Sequence, residues 1–263
     1  MDDHLSVAEE AARDAGEIIA RLYDEPREID YKGRFDLVTS ADRQAEELIV
    51  GRIRERFPDH GIVAEEGGES KSDSEFRWYV DPLDGTTNFA HGFPMFCVAL
   101  ALEKRGEVVL GVIYDPLRKE LYRAVKGQGA YVNDRRMRVS QSPRLDESLL
   151  ATGFPPFRAA NHDLNIQFYL RFTELCHGVR RAGSAALDLC YLAAGRLDGF
   201  WELKLFPWDK AAGGLMVLEA GGKITDMDGG PFKLWGDPIF ASNGLIHAEM
   251  GDIFSQVKTG QAE

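Results

Sequence analysis

Three apolar segments of this 263-residue chain run straight into carboxylates: IVAEE at 62–66, WYVDPLD at 78–84 and FPWD at 206–209. Surface acids usually lie on helix faces among lysines. These acids instead leave a core at the end of an element, where sites are commonly built. Carboxylates gathered there repel one another. Hard divalent cations resolve that repulsion through oxygen ligands, and Mg²⁺ takes a few carboxylates while keeping waters and substrate phosphate.

The periodicity around these segments places them in a layered α/β fold. Residues 5–23 carry Leu5, Ala8, Ala12, Ala15, Ile19 and Leu22 at helical steps, and residues 41–57 form a second helix stopped by Pro58. Thr39 or Ser40 caps its start. Residues 61–65 and 76–81 read as short apolar strands, with EGGESKSDSE between them as a polar loop. Strands are expected at 95–103, 108–114, 119–125, 130–132, 148–152 and 197–202, and in KITD and PIFASN. Helices are expected at 161–177, 184–195, 208–220 and 245–258. Interleaving of this kind predicts sheets sandwiched between helices in one domain, with sub-lobes of about 1–145 and 146–263.

Charge and cysteine content narrow the function. A formal charge of −12 argues against gripping nucleic acid. It also suits a phosphorylated substrate only if bound cations reverse the local sign. Cys97, Cys176 and Cys190 are far apart and read as reduced core thiols. No apolar run approaches eighteen residues, and the acidic start lacks a secretory pattern, so the expected place is the cytoplasm.

The D-P-L-D spacing is the most informative local feature. Pro82 fixes φ and disfavours helix at Asp81, so the chain bends and Asp81 and Asp84 can converge. The Leu83 carbonyl is a further oxygen donor. Gly85-Thr86-Thr87 follows, opening a short helix through Ala90 whose free N–H groups suit a phosphate. Cations on one side and N–H donors on the other make a phosphomonoester site.

The string WYVDPLDGTTNFAHGFP resembles the signature of the inositol monophosphatase family, the lithium-sensitive, magnesium-dependent phosphatases. PWDKAAGGLMVLEAGG with GGPF is similar to its second signature. The order KGRFDLVTSAD, IVAEEGGES, DPLDGTTNF, RRAGSAALDLCYLAAGRLDGFWE and PWD also matches, from about residue 5 to 250. The resemblance implies the five-layer αβαβα sandwich shared with fructose-1,6-bisphosphatase, and a homodimer. It implies that Glu65, Asp81, Asp84, Asp209 and the Leu83 carbonyl hold two or three Mg²⁺, with Asp81 bridging and Glu66 behind Glu65.

A metal-activated water is the implied nucleophile, since no Cys or His lies in a nucleophile motif. Thr86 orients it with Glu65, and Asp42 polarises Thr86. An acid in a helix's first turn, as at Asp42 or Asp209, also suits the helix dipole without any metal. Gly85, Thr86, Gly183, Ser184, Ala185, Glu202 and Asp209 are the implied substrate contacts, joined by Lys32 from a loop. Arg181 is a further candidate for orienting the ring or the subunit contact. Thr87-Asn88-Phe89 is the inositol-type form of the segment. The implied activity is hydrolysis of inositol 1-phosphate or a similar small polyol phosphate. Fructose 1,6-bisphosphate or broad sugar-phosphate hydrolysis is the alternative, ahead of histidinol phosphate, nucleotides or a regulatory binding role. Arg34, Lys204 and Lys210 are candidates for a second phosphate.

Overall fold

The computed structural model describes residues 1–25, 29–31, 37–70, 72–154, 162–236 and 238–260. Two sheets carry the fold. The larger has eight strands in the spatial order β10 (Arg135–Arg136), β9 (Gly129–Val132), β8 (Glu120–Val125), β7 (Glu107–Asp115), β6 (Cys97–Lys104), β5 (Phe76–Asp84), β3 (Gly61–Ala64), β4 (Gly68–Ser70). The smaller has five: β12 (Gly178–Arg180), β11 (Leu149–Thr152), β13 (Gly199–Glu202), β15 (Ile239–Ser242), β14 (Lys223–Thr225). A separate pair, β1 (Ile29–Tyr31) and β2 (Leu37–Thr39), runs antiparallel ahead of the second helix.

Helices fill the spaces on both faces. The outer layer of the large sheet is α1 (Asp2–Tyr23) and α2 (Ser40–Arg56). The shared middle layer is α5 (Ala185–Ala193) and α6 (Pro207–Glu219). The outer layer of the small sheet is α4 (His162–Leu175) and α7 (His247–Thr259). The five-residue α3 (Thr86–Ala90) follows β5. Three apolar cores separate these layers, giving the expected αβαβα sandwich.

Period-two alternation explains the sharing. Along β5 and β6, Trp78, Val80, Val98 and Leu100 face α1 and α2, while Tyr79, Cys97, Ala99 and Ala101 face α5 and α6. The small side chains on that inner face let α6 pack across β5 to β9. Each fully buried Trp, Leu or Ile contributes roughly 1.5–3 kcal/mol, and Trp78, Trp201 and Phe200 are wholly inside. All three cysteines are free, with Cys97 and Cys190 buried.

One expectation needs correction. The polar segment read as a loop after IVAEE contains β4, an antiparallel edge strand on β3. Its Ser70 hydroxyl accepts from Ile62 N at 3.1 Å and is 3.3 Å from Ile62 O. An edge strand exposed on one side needs no apolar alternation, so composition hides it. Strand β12 was also unforeseen, lying between the two helices expected at 161–177 and 184–195.

Candidate active site

Glu65, Asp81, Asp84 and Asp209, from the three apolar segments, meet in one cleft of about 180 Å³. Its lining includes Glu65, Asp81, Leu83, Asp84, Gly85, Thr86, Gly183, Ser184, Ala185, Glu202 and Asp209. Of the sequence-predicted site residues within the described segments, the candidate metal ligands and substrate contacts and Arg181 line the cleft; Asp42 lies one contact behind it, and Glu66, Lys204 and Lys210 are not on its wall. Lys32 and Arg34 fall outside the described residues.

A bulge aims the first two acids. β5 does not stop at Asp81 but continues to Asp84, with a register shift against β6: Asp81 opposes Ala99 and Asp84 opposes Cys97. Three steps on β5 thus match two on β6. In a regular strand, residues three apart face opposite sides; the extra residue returns both to one face. Pro82, lacking an N–H, occupies that unpaired stretch. Asp81 Oδ1 accepts from Leu83 N at 3.0 Å, which closes the bend. Gly85 follows at φ +96°, and a Cβ there would lie 2.8 Å from Met95 O, so this turn requires glycine.

The carboxylates are held singly, not as a group. Asp84 Oδ2 accepts from Ser184 Oγ at 2.6 Å and Ala186 N at 2.8 Å, tying β5 to the start of α5. Ser184 also caps α5. Asp209 Oδ2 accepts from Phe206 N at 2.7 Å at the start of α6. Enclosure pushes Asp81 well above the usual carboxylate range, with the charges of Glu65, Asp84 and Asp209 adding. Enclosure raises Asp84 to about 6 against its hydrogen bonds from Ser184 and Ala186. Enclosure and the Asp84 charge raise Asp209. These acids gain from a positive charge.

Among the described residues, no three Asp, Glu, His or Cys side chains form a ready cage for one ion. Mg²⁺ does not require one, because it keeps several waters and takes one or two carboxylates plus phosphate. The donor set is all oxygen, as a hard cation demands.

Thr86 joins the cleft to α2. Its hydroxyl lies 3.0 Å from both Asp42 Oδ1 and Leu83 O. It has one proton to give. Given to Asp42, it leaves the Leu83 carbonyl free to face a cation. Asp42 is fully buried, and its other oxygen accepts from Thr39 N at 2.8 Å and Thr39 Oγ1 at 2.6 Å. The capping role and the Thr86 contact therefore coexist in one carboxylate.

The sequence reading missed Glu46. It lies one turn after Asp42 on the buried face of α2, and its Oε2 accepts from Glu66 N at 2.8 Å. Helix α2 thus holds Thr86 through Asp42 and the Glu65-Glu66 turn through Glu46. The signal was an acid at i+4 on the stripe of Ala45, Ile49 and Ile53. Glu46→Ala is expected to cost about 1–2 kcal/mol by leaving a hydrogen-bonded N–H without its acceptor. Urea denaturation checks this, and Glu46→Gln should recover most of the loss.

Asn88 links the α3 turn to the segment before α5. Its Nδ2 lies 2.7 Å from Met95 O, 2.9 Å from Ala182 O and 3.2 Å from Gly183 O. Phe89 is buried against Phe96 and Tyr23. Asn88 lines the cleft and fixes where Gly183 sits, while Phe89 anchors α3 in the core. Asp188, also unforeseen, is buried on the cleft wall.

A five-layer sandwich with an acid-lined cleft defines the inositol monophosphatase/fructose-1,6-bisphosphatase-like class. The comparisons agree. The chain matches the inositol monophosphatase family over residues 1–259. An inositol-1-monophosphatase of Synechocystis is 48% identical, covering 94% of this chain and 86% of its own. The Nus factor SuhB of Escherichia coli K12 is 45% identical over 96% of each chain. The crystal structure of the extragenic suppressor protein suhB from Bartonella henselae superposes with a TM-score of 0.93 at 43% identity, over 97% of this chain and 99% of that one. The chain belongs to the inositol monophosphatase family and is a phosphatase of phosphoric monoesters.

Proposed function

We propose that the protein hydrolyses the phosphate monoester of a small polyol, with inositol 1-phosphate the first substrate to test, and uses Mg²⁺. The observation that carries this reading is the convergence of Glu65, Asp81, Asp84 and Asp209 in one cleft that also holds Thr86. The volume supports a small ester, since it is below the roughly 300–1,000 Å³ of drug-sized sites.

Glu65, Asp81, Asp84, Asp209 and the Leu83 carbonyl would hold two or three Mg²⁺. When bound, the metal supplies Lewis-acid stabilisation of the phosphoryl oxygens and a more acidic water. The side chains do the rest. Thr86, its proton directed to Asp42, offers its lone pairs to orient the attacking water. Glu65 takes the proton from that water. The N–H groups that open α3 lack intrahelical partners and face phosphate oxygens. Gly183, Ala185 and Glu202 receive the polyol. The water oxygen bonds to phosphorus as the P–O ester bond breaks, the leaving alkoxide takes up a proton from water, and polyol and phosphate leave.

A bisphosphate substrate would need further cations. Lys210 is buried and donates to the Gly236 carbonyl, which removes it from that role. Lys204 does not line the cleft, and Arg181 is the one cation that does among the described residues. Among the described residues, which leave out Arg34, this favours a monophosphate over fructose 1,6-bisphosphate. Phosphate release with Mg²⁺ from inositol 1-phosphate, fructose 1,6-bisphosphate, histidinol phosphate and 3′-phosphoadenosine phosphate tests the ordering. Turnover is expected to be fastest on the first. Failure on all four would leave a binding role, the reading that the name of the Escherichia coli relative raises. The protein is read as a cytoplasmic homodimer, which light scattering in solution checks for the dimer. No helix among the described residues is long and apolar enough to cross a membrane.

A further inference from the structure

Helix α5 reads AALDLCYLA, and Asp188 is its one charged residue. Asp188 is 2% exposed, and Glu202 beside it on β13 is 7% exposed. Both line the cleft, so the little surface each retains faces it. Neither carboxylate accepts a hydrogen bond from any described residue; their neighbours act through charge, with Asp84 against both, Asp209 and Asp188 against Glu202, and Arg181 in favour of both. The fold does not need Asp188 as a cap, because Ser184 Oγ already serves Leu187 N and the Asp188 N–H is bonded to Ser184 O. A buried carboxylate without a donor is unfavourable, and proteins keep such groups where a ligand completes them.

We propose that Asp188 is a specificity-determining residue that accepts a hydrogen bond from a substrate hydroxyl next to the one facing Glu202. This rests on the polyol reading above. Two carboxyl side chains on one wall match adjacent hydroxyls, which can donate to carboxyl oxygens without carrying charge. Gly153, just after β11, leaves room for the Glu202 carboxylate: a Cβ there would fall 2.1 Å from its Oε2. The pair would therefore discriminate by hydroxyl pattern, whereas the carboxylates of β5 and α6 act at the phosphate.

The test compares the wild-type full chain with Asp188→Ala and Asp188→Asn on inositol 1-phosphate and on p-nitrophenyl phosphate, which has no hydroxyls, with Mg²⁺ titrated for each. Asp188→Ala is expected to raise KM for inositol 1-phosphate about tenfold and Asp188→Asn about threefold, with kcat changed less than about threefold. On the aryl ester kcat/KM should stay within about twofold, and the Mg²⁺ requirement should not move. Retained aryl-ester turnover also shows that each variant is folded, and the near-isosteric Asn variant serves if Ala does not fold. Equal losses on both esters, an unchanged KM for inositol 1-phosphate, or a shifted Mg²⁺ requirement would overturn the role. Wild-type protein that cleaves the aryl ester but no polyol phosphate overturns the polyol reading itself, and that result is visible without any variant.

Discussion

Asp84→Asn is expected to lower kcat about a thousandfold, the equivalent of roughly 4 kcal/mol of lost charge stabilisation at the phosphate. The fold should survive. An amide oxygen can still accept from Ser184 Oγ and Ala186 N, the two bonds that tie β5 to α5. The substitution removes charge while keeping shape. Phosphate release at saturating substrate, across a wide range of Mg²⁺, measures the effect. A variant that regains normal turnover at high Mg²⁺ would show that Asp84 only tunes affinity. Normal turnover at every Mg²⁺ concentration would remove Asp84 from the mechanism.

The same variant is expected to be more stable than wild type when divalent metal is chelated at neutral pH. Asp84 titrates at about 6 in the fold, above its ordinary value of 3.8. A raised carboxylate contributes stability while protonated, fully so below its unfolded pKa, and that contribution is lost as pH rises through the folded one. Between about pH 4 and 6 the folded state holds more protons, so the wild type loses ground to Asp84→Asn. The gap should reach on the order of 2 kcal/mol near pH 7.5 and close towards pH 4.

The difference between the two proteins is the quantity to measure. Buried His247 is lowered to about 4, and His4 and His60 are also lowered. Their contribution has the opposite sign, present above the ordinary histidine value of 6.5 and lost as pH falls. It masks Asp84 in the wild type alone but cancels in the comparison. Urea denaturation of both proteins in EDTA supplies it. Adding Mg²⁺ at pH 7.5 should then stabilise the wild type more than the variant, because cations offset the repulsion among the acids. A gap that widens on acidification would contradict this assignment.

Much of the site was legible because its chemistry is written in neighbouring residues. Pro82 between Asp81 and Asp84, glycine at 85 and a hydroxyl at 86 make sense without knowledge of any distant part of the chain. The helical stripes of α1 and α2 and the apolar runs of β5 to β8 likewise follow from local period. Strand β4 was missed because an exposed edge carries no such period. Glu46 and Asp188 were missed for another reason. An acid in a sequence reads as a solvated group, and only its surroundings reveal that it is buried.

The sequence by itself determined which groups are available: four acids at the ends of apolar segments, a bend, a hydroxyl, and enough alternation to build layered sheets and helices. Only the tertiary structure decided which of them meet. Asp42 reaches Thr86 across 44 residues, and Ser184 reaches Asp84 across 100. Asp81 and Asp84 share a face because β5 is one residue out of step with β6, a relation that neither strand contains alone. Asp188 and Glu202 share one wall of the cleft, without a donor among the described residues, because α5 and β13 come together there. The physical reason is common to all of these. Covalent spacing sets local conformation, whereas burial, register and the company a carboxylate keeps are set by segments brought together from distant parts of the chain.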